Sequence, residues 1–127
     1  MQSITTQIRV RYAECDPMGV AHHSAYPVWL EIARTELLRA SGVAYAELEK
    51  SGTLIVVVKL ELTYKKPARY DDLLDVTATL KRAGGVRIEH AYEVRRGRDL
   101  LCTAATTLAC LDREGKLTAV PEALTVQ

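Results

Sequence analysis

Asp16 stands in Cys15-Asp16-Pro17-Met18-Gly19, followed at once by Val20-Ala21-His22-His23-Ser24, and this run holds the groups best placed to do chemistry. A carboxylate can take a proton from water or attack a carbonyl carbon itself. The helical pattern that opens at Ser24 brings unpaired N–H groups and partial positive charge, which can polarise a carbonyl oxygen or steady an oxyanion. Acid and oxyanion donor separated by a short glycine-containing loop make a hydrolytic site conceivable. An Asp before Pro is equally an ordinary turn former, so the residue types alone leave both roles open.

The remaining candidates are weaker. His22 and His23 are adjacent and, in an extended loop, should point opposite ways. A zinc site needs three or four ligands, and with His90 the only further histidine and no suitable cysteine spacing, no metal is expected. His90 falls on the apolar face of an alternating run and reads as a hydrogen-bonded core histidine. Cys15 adjoins Asp16, but no sequence feature marks a low thiol pKa, so it reads as a small buried residue. Lys59, Lys65, Lys66, Arg69, Lys81, Arg82 and Arg87 would ordinarily form a solvated face, although lysine and arginine are natural partners for phosphate oxygens.

The elements that must position these residues follow from periodicity. Ile4 to Ala13 alternates as a half-buried strand, broken by Asp16-Pro17 and Gly19. Ser24 suits a helix N-cap whose hydroxyl accepts from the first turn, with Pro27 still inside that turn. Tyr26, Leu30, Ala33, Leu37 and Ala40 recur at helical spacing, widened by Trp29 and Ile32. With only Glu31, Arg34, Thr35 and Arg39 as a polar strip, the helix is expected to be covered on most sides. Gly42 stops it, and Ala44 to Lys50 suits a short second helix. From Leu54 the period becomes two: Leu54, Val56, Val58, Leu60, Leu62 and Tyr64 share one face. Leu74 to Leu80 and Val86 to Val94 alternate likewise around Ala83-Gly84-Gly85. Leu100 to Leu111 is apolar or threonine on both faces, so it should lie inside the sheet, covered on both sides. Lys116 to Gln127 reads as a terminal extension. The order strand, helix, four strands specifies an α+β single domain over residues 1–127, a curled antiparallel sheet of about five strands around one long helix.

Composition narrows the function class. The 127 residues carry 17 basic and 16 acidic side chains for a net charge of +1, with 48% hydrophobic residues and a pI near 7.7, which does not suit a nucleic-acid binder. No apolar run approaches the roughly 20 residues of a membrane span, and the N-terminus lacks a basic-then-apolar leader. Three cysteines, Cys15, Cys102 and Cys110, suit reduced thiols. A cytoplasmic protein is the expectation. One sheet layer and one helix leave a sheet face to cover, which another copy of the chain would do.

Arg11-Tyr-Ala-Glu-Cys-Asp-Pro-Met-Gly-Val-Ala-His-His-Ser-Ala-Tyr26, with Glu31-Ile-Ala-Arg-Thr-Glu36 and Tyr64-Lys-Lys-Pro-Ala-Arg-Tyr-Asp-Asp72, resembles the 4-hydroxybenzoyl-CoA thioesterase family and related small bacterial acyl-CoA thioesterases of the hot-dog fold. The resemblance implies hydrolysis of an acyl-coenzyme A thioester to a free acid and coenzyme A without metal or redox cofactor. It assigns the base or nucleophile to Asp16 and the carbonyl-polarising amide to His23. Gly19, Val20 and Tyr26 are implied to meet the substrate, and Lys59, Lys65 and Arg69 the coenzyme A phosphates. It further implies a dimer or tetramer with the site at a subunit interface. Ala21 departs from the valine frequent in relatives, and the chain has no phenylalanine, so the acyl group is not specified. A hot-dog enoyl-CoA hydratase or dehydratase and a non-catalytic acyl-CoA or acyl-carrier binding module are the rival readings.

Overall fold

A computed structural model describes residues 2–124. Five strands form one antiparallel sheet: β1 (Ser3–Arg9), β2 (Leu54–Tyr64), β3 (Leu73–Gly84), β4 (Arg87–Arg96) and β5 (Asp99–Leu111), in the order β1-β3-β4-β5-β2. Between β1 and β2 run the long helix α1 (Ala25–Ala40) and the short α2 (Tyr45–Lys50). This is the hot-dog arrangement that the resemblance implies.

The inward faces of β3 and β4 are those the alternation specifies: Leu74, Val76, Ala78 and Leu80 on one, Ile88, His90, Tyr92 and Val94 on the other, all buried. Trp29, Leu30 and Ala33 of α1 complete the core at 0% exposure. Removing each large apolar side chain from water contributes roughly 1.5–3 kcal/mol before entropy is counted, so this helix–sheet seam is the main stabilising contact.

Several elements depart from the sequence reading. β1 stops at Arg9 rather than Ala13, because Tyr12–Glu14 winds into a 3-10 turn drawn inward by the Trp29 indole, whose N–H donates to Glu14 Oε2 at 2.9 Å. α1 is not covered on most sides: it buries one stripe, Ala25, Tyr26, Trp29, Leu30, Ala33, Arg34 and Leu37, while Ile32 and Val28 are exposed. Arg34, assigned to the polar strip, is only 9% exposed. The even-numbered face of β2 does not stay buried along the strand. A bulge at Val58 offsets the pairing between Val57↔Leu108 and Lys59↔Thr107, and an extra residue reverses which side chains face inward. Ile55 before the bulge and Leu62 after it therefore pack on the core, while Val57, Val58 and Leu60 are exposed. β5 is interior, between β4 and β2, yet it is buried on both faces only toward its ends: Leu101 and Cys102, then Leu108 to Cys110, with Ala105 exposed between. Among the described residues of a single chain, nothing covers Ala105 on the outer face of the sheet.

Candidate active site

The loop after the 3-10 turn closes on itself as a small hairpin. Asp16 N–H donates to Val20 O at 2.9 Å and His22 N–H to Glu14 O at 2.7 Å, with a bridge between Cys15 and Ala21. Pro17 and Met18 form the tip. Gly19 N–H returns to Asp16 O at 2.9 Å, and Gly19 itself sits at φ +77°, a left-handed conformation that costs a residue with a Cβ roughly 1–2 kcal/mol. Asp16 Oδ1 accepts from Met18 N–H at 2.9 Å and from Val20 N–H at 3.3 Å. Oδ1 shapes the loop, and Oδ2 has no hydrogen-bond partner among the described residues.

A second segment holds this hairpin in place. Ala21 N–H donates to Ala68 O at 2.7 Å and Tyr70 N–H to Gly19 O at 3.3 Å, and Val20 bridges Arg69. Asp72 fixes that segment in turn, since its Oδ2 accepts from the Arg69 amide and from the Arg96 guanidinium, each at 2.8 Å. Burial alone would raise the Asp72 pKa, but the hydrogen bonds from Arg96 and Arg69 outweigh it and hold the carboxyl below its usual value. Glu14 follows the same logic: burial works upward, while bonds from Arg11 and the Trp29 indole bring the net shift down.

His23 precedes α1, and its N–H has no protein acceptor among the described residues. The His23 carbonyl accepts from the Tyr64 hydroxyl at 3.3 Å. Tyr64 stands edge-on to Tyr26, ring centroids 4.9 Å apart, and Tyr26 lies 4.6 Å from Trp29. Burial pushes the Tyr26 phenol above its ordinary pKa, partly offset by a backbone bond from Ala68. Beside these groups is a hollow of about 330 Å³, lined by Ala21, His23, Tyr26, Tyr64, Lys65, Lys66 and Pro67.

The predicted residues are therefore grouped unevenly. His23, Tyr26 and Lys65 share the hollow; Gly19, Val20 and Arg69 belong to the hairpin and the segment that braces it; Asp16 sits at the hairpin base and does not line the hollow. Lys59 is elsewhere, five residues or about 17 Å along β2 from Tyr64 and paired with Glu61 at 2.8 Å. Lys65 forms no ion pair among the described residues, whereas Lys66 is bound to Asp99 at 3.2 Å. Ser24 does not cap α1 through its side chain; its hydroxyl meets His22 Nδ1 at 2.8 Å. The two histidines do not point apart either, their rings lying 4.0 Å apart, because the chain is already turning into the helix. Sequence reasoning does not pick out Tyr64, Pro67, Glu14 or Trp29 as site residues. Only Tyr64 and Pro67 carry a signal, through the Tyr64-Lys-Lys-Pro run. Among the described residues no cluster of His, Cys, Asp or Glu could hold a metal ion, and all three cysteines are free thiols.

Comparison with known proteins agrees with this fold. Residues 10–127 match the thioesterase-like superfamily. The acyl-CoA thioesterase YbgC of Haemophilus influenzae is 34% identical over 106 residues, 83% of this chain and 78% of that protein. The acyl-CoA thioester hydrolase YbgC of Escherichia coli O157:H7 is 30% identical over 106 residues, 83% of this chain and 79% of its own. Among solved structures, the DHNA-CoA thioesterase of Staphylococcus aureus superposes with a TM-score of 0.89 at 32% identity, over 93% of this chain and 80% of that one. With the family match spanning nearly the whole sequence and the fold superposing on a solved thioesterase, the chain belongs to the thioesterase-like superfamily.

Proposed function

We propose that the protein hydrolyses an acyl-coenzyme A thioester to a free acid and coenzyme A, with Asp16 as base or nucleophile and the His23 amide as the carbonyl-polarising donor. The observation that carries this is the His23 N–H, left without an acceptor among the described residues beside an open hollow at the head of α1. As charge moves onto the thioester oxygen, such a donor strengthens its bond; one donor of this kind is worth about 10²–10³ in rate. Asp16 Oδ2 either takes a proton from the attacking water or bonds the carbonyl carbon to give a mixed anhydride that water then opens. In both routes the C–S bond breaks and the coenzyme A sulfur leaves as thiolate, to be protonated by solvent.

Lys65 at the rim of the hollow and Arg69 beside Val20 are the proposed contacts for the coenzyme A phosphates. Lys59, engaged with Glu61, has less support for that role. We further propose a homo-oligomer, with the second subunit completing the site. Among the described residues β2 pairs only with β5, leaving its other edge open, and Val57, Val58 and Leu60 of this strand stand exposed. A cytoplasmic location is part of the same proposal, supported by the three free thiols. Among the described residues, no helix is long and apolar enough to cross a membrane.

The test is thiol release across aryl, short-chain and long-chain acyl-CoAs, with Asp16→Asn alongside. Asn keeps an oxygen for the Met18 and Val20 amides, so the loop should survive while the rate falls by about 10²–10⁴. A variant that keeps the wild-type rate would remove Asp16 from the mechanism. Tight acyl-CoA binding with no thiol release by the wild type would favour the non-catalytic binding module instead.

A further inference from the structure

The head of α1 lacks one backbone donor, and a side chain of β2 supplies another in its place. In an α-helix each carbonyl accepts from the amide four residues on. Ser24 already has helical angles, φ −71° and ψ −14°, so the helical donor to the His23 carbonyl would be residue 27. That residue is proline, which has no N–H to give. No backbone amide among the described residues donates to the His23 carbonyl. The Tyr64 hydroxyl does, at 3.3 Å.

This bond bears on the geometry of one residue. His22 N–H donates to Glu14 O at 2.7 Å, and His22 O accepts from Ala25 N–H at 3.0 Å, which holds the peptide carrying the His23 N–H. Tyr64 holds the next peptide through its carbonyl. With the peptides on both sides of its Cα restrained, His23 has little freedom of φ or ψ, and its N–H is left with no acceptor among the described residues. An oxyanion donor is worth most when it is already in place as charge develops. Glu14 and Ala25 restrain His23 from the hairpin and the helix; Tyr64 ties it to the sheet, and both His23 and Tyr64 line the hollow. The phenol is itself held: its ring stands edge-on to Tyr26, which is 3% exposed and packed on Trp29. Burial first, then the nearby Cys102, raises the Tyr64 pKa, so the hydroxyl keeps its proton and donates.

We propose that Tyr64 is a positioning residue for the hydrolysis proposed above: its hydroxyl replaces the amide that Pro27 lacks, holds the His23 carbonyl, and so fixes where the His23 N–H meets the thioester oxygen. The inference rests on that hydrolysis and adds a residue to it.

The test measures kcat and KM for thiol release from the acyl-CoA that the wild type cleaves fastest, in wild type, Tyr64→Phe, Pro27→Ala and the double variant, each checked for folding by circular dichroism. Phe keeps the ring against Tyr26 and removes only the hydroxyl, so kcat should fall about three- to tenfold, the weight of one neutral hydrogen bond, with KM within about twofold. Ala at position 27 restores a backbone N–H four residues on from the His23 carbonyl. In that background the same Tyr64→Phe change should therefore cost less than about twofold in kcat, a rescue that neither a loss of packing nor a lost contact to substrate would give. An unchanged kcat in Tyr64→Phe, equal losses in the two backgrounds, or a loss confined to KM, as for a phenol that binds substrate directly, would overturn the proposal while leaving the hydrolysis standing. A wild type that releases thiol from no acyl-CoA would overturn both.

Discussion

Lowering the pH from about 7.5 to about 5 should cost the fold about 2 kcal/mol through His90 alone. The imidazole is 8% exposed, and burial first, then the Arg34 cation, lowers its pKa from 6.5 to about 4. A histidine held neutral in the folded state but free to charge when unfolded lends stability that is complete above 6.5 and declines as pH falls toward the folded value. The whole interval corresponds to about 3 kcal/mol at 1.36 kcal/mol per pH unit, and about two-thirds of that is lost by about pH 5. Glu14 and Asp72 do not confuse the reading, since their carboxyls are held below their ordinary values of 4.5 and 3.8 and yield stability only in stronger acid. The assay is urea unfolding of wild type and His90→Phe at both pH values. His22 and His23 are present in both proteins and cancel. Wild type should lose about 2 kcal/mol more than the variant; equal losses would refute the account of a buried neutral histidine beside Arg34.

Three other outcomes are expected. Trp29→Phe keeps the ring in the core but removes the donor to Glu14, a carboxylate with only 9% of its side chain exposed, and should cost about 1–3 kcal/mol by thermal or urea unfolding. Gly19→Ala meets no atom within 4 Å of the new Cβ, so its cost should be the left-handed backbone alone, about 1–2 kcal/mol; a neutral result would mean the hairpin tip adopts another turn. Val58→Lys places a charge on the exposed bulge of β2, at a residue 59% exposed in the single chain, and should lower the apparent mass by sedimentation without changing the circular dichroism if that edge joins two subunits.

Local chemistry determined much of this protein in advance. Alternation in residues 74–80 and 86–94 identified the inward faces of β3 and β4, because a strand's side-chain period is a property of the backbone. The spacing of Tyr26, Leu30, Ala33 and Leu37 named most of the buried stripe of α1, and the Asp16 to Tyr26 run located the candidate site. Tertiary structure decided the rest. The bulge at Val58 reversed the faces of β2, and a one-residue insertion leaves no mark in a run of valines. Which basic residues meet the His23 hollow depended on how far along β2 each one falls, so Lys65 lies there and Lys59 does not. Arg34 carries the charge of a surface residue yet lies in the core, because helix rotation against the sheet, not residue type, assigns the buried stripe. The two oxygens of Asp16, too, became distinct only in three dimensions: folding commits one to the Met18 and Val20 amides and leaves the other with no protein bond among the described residues.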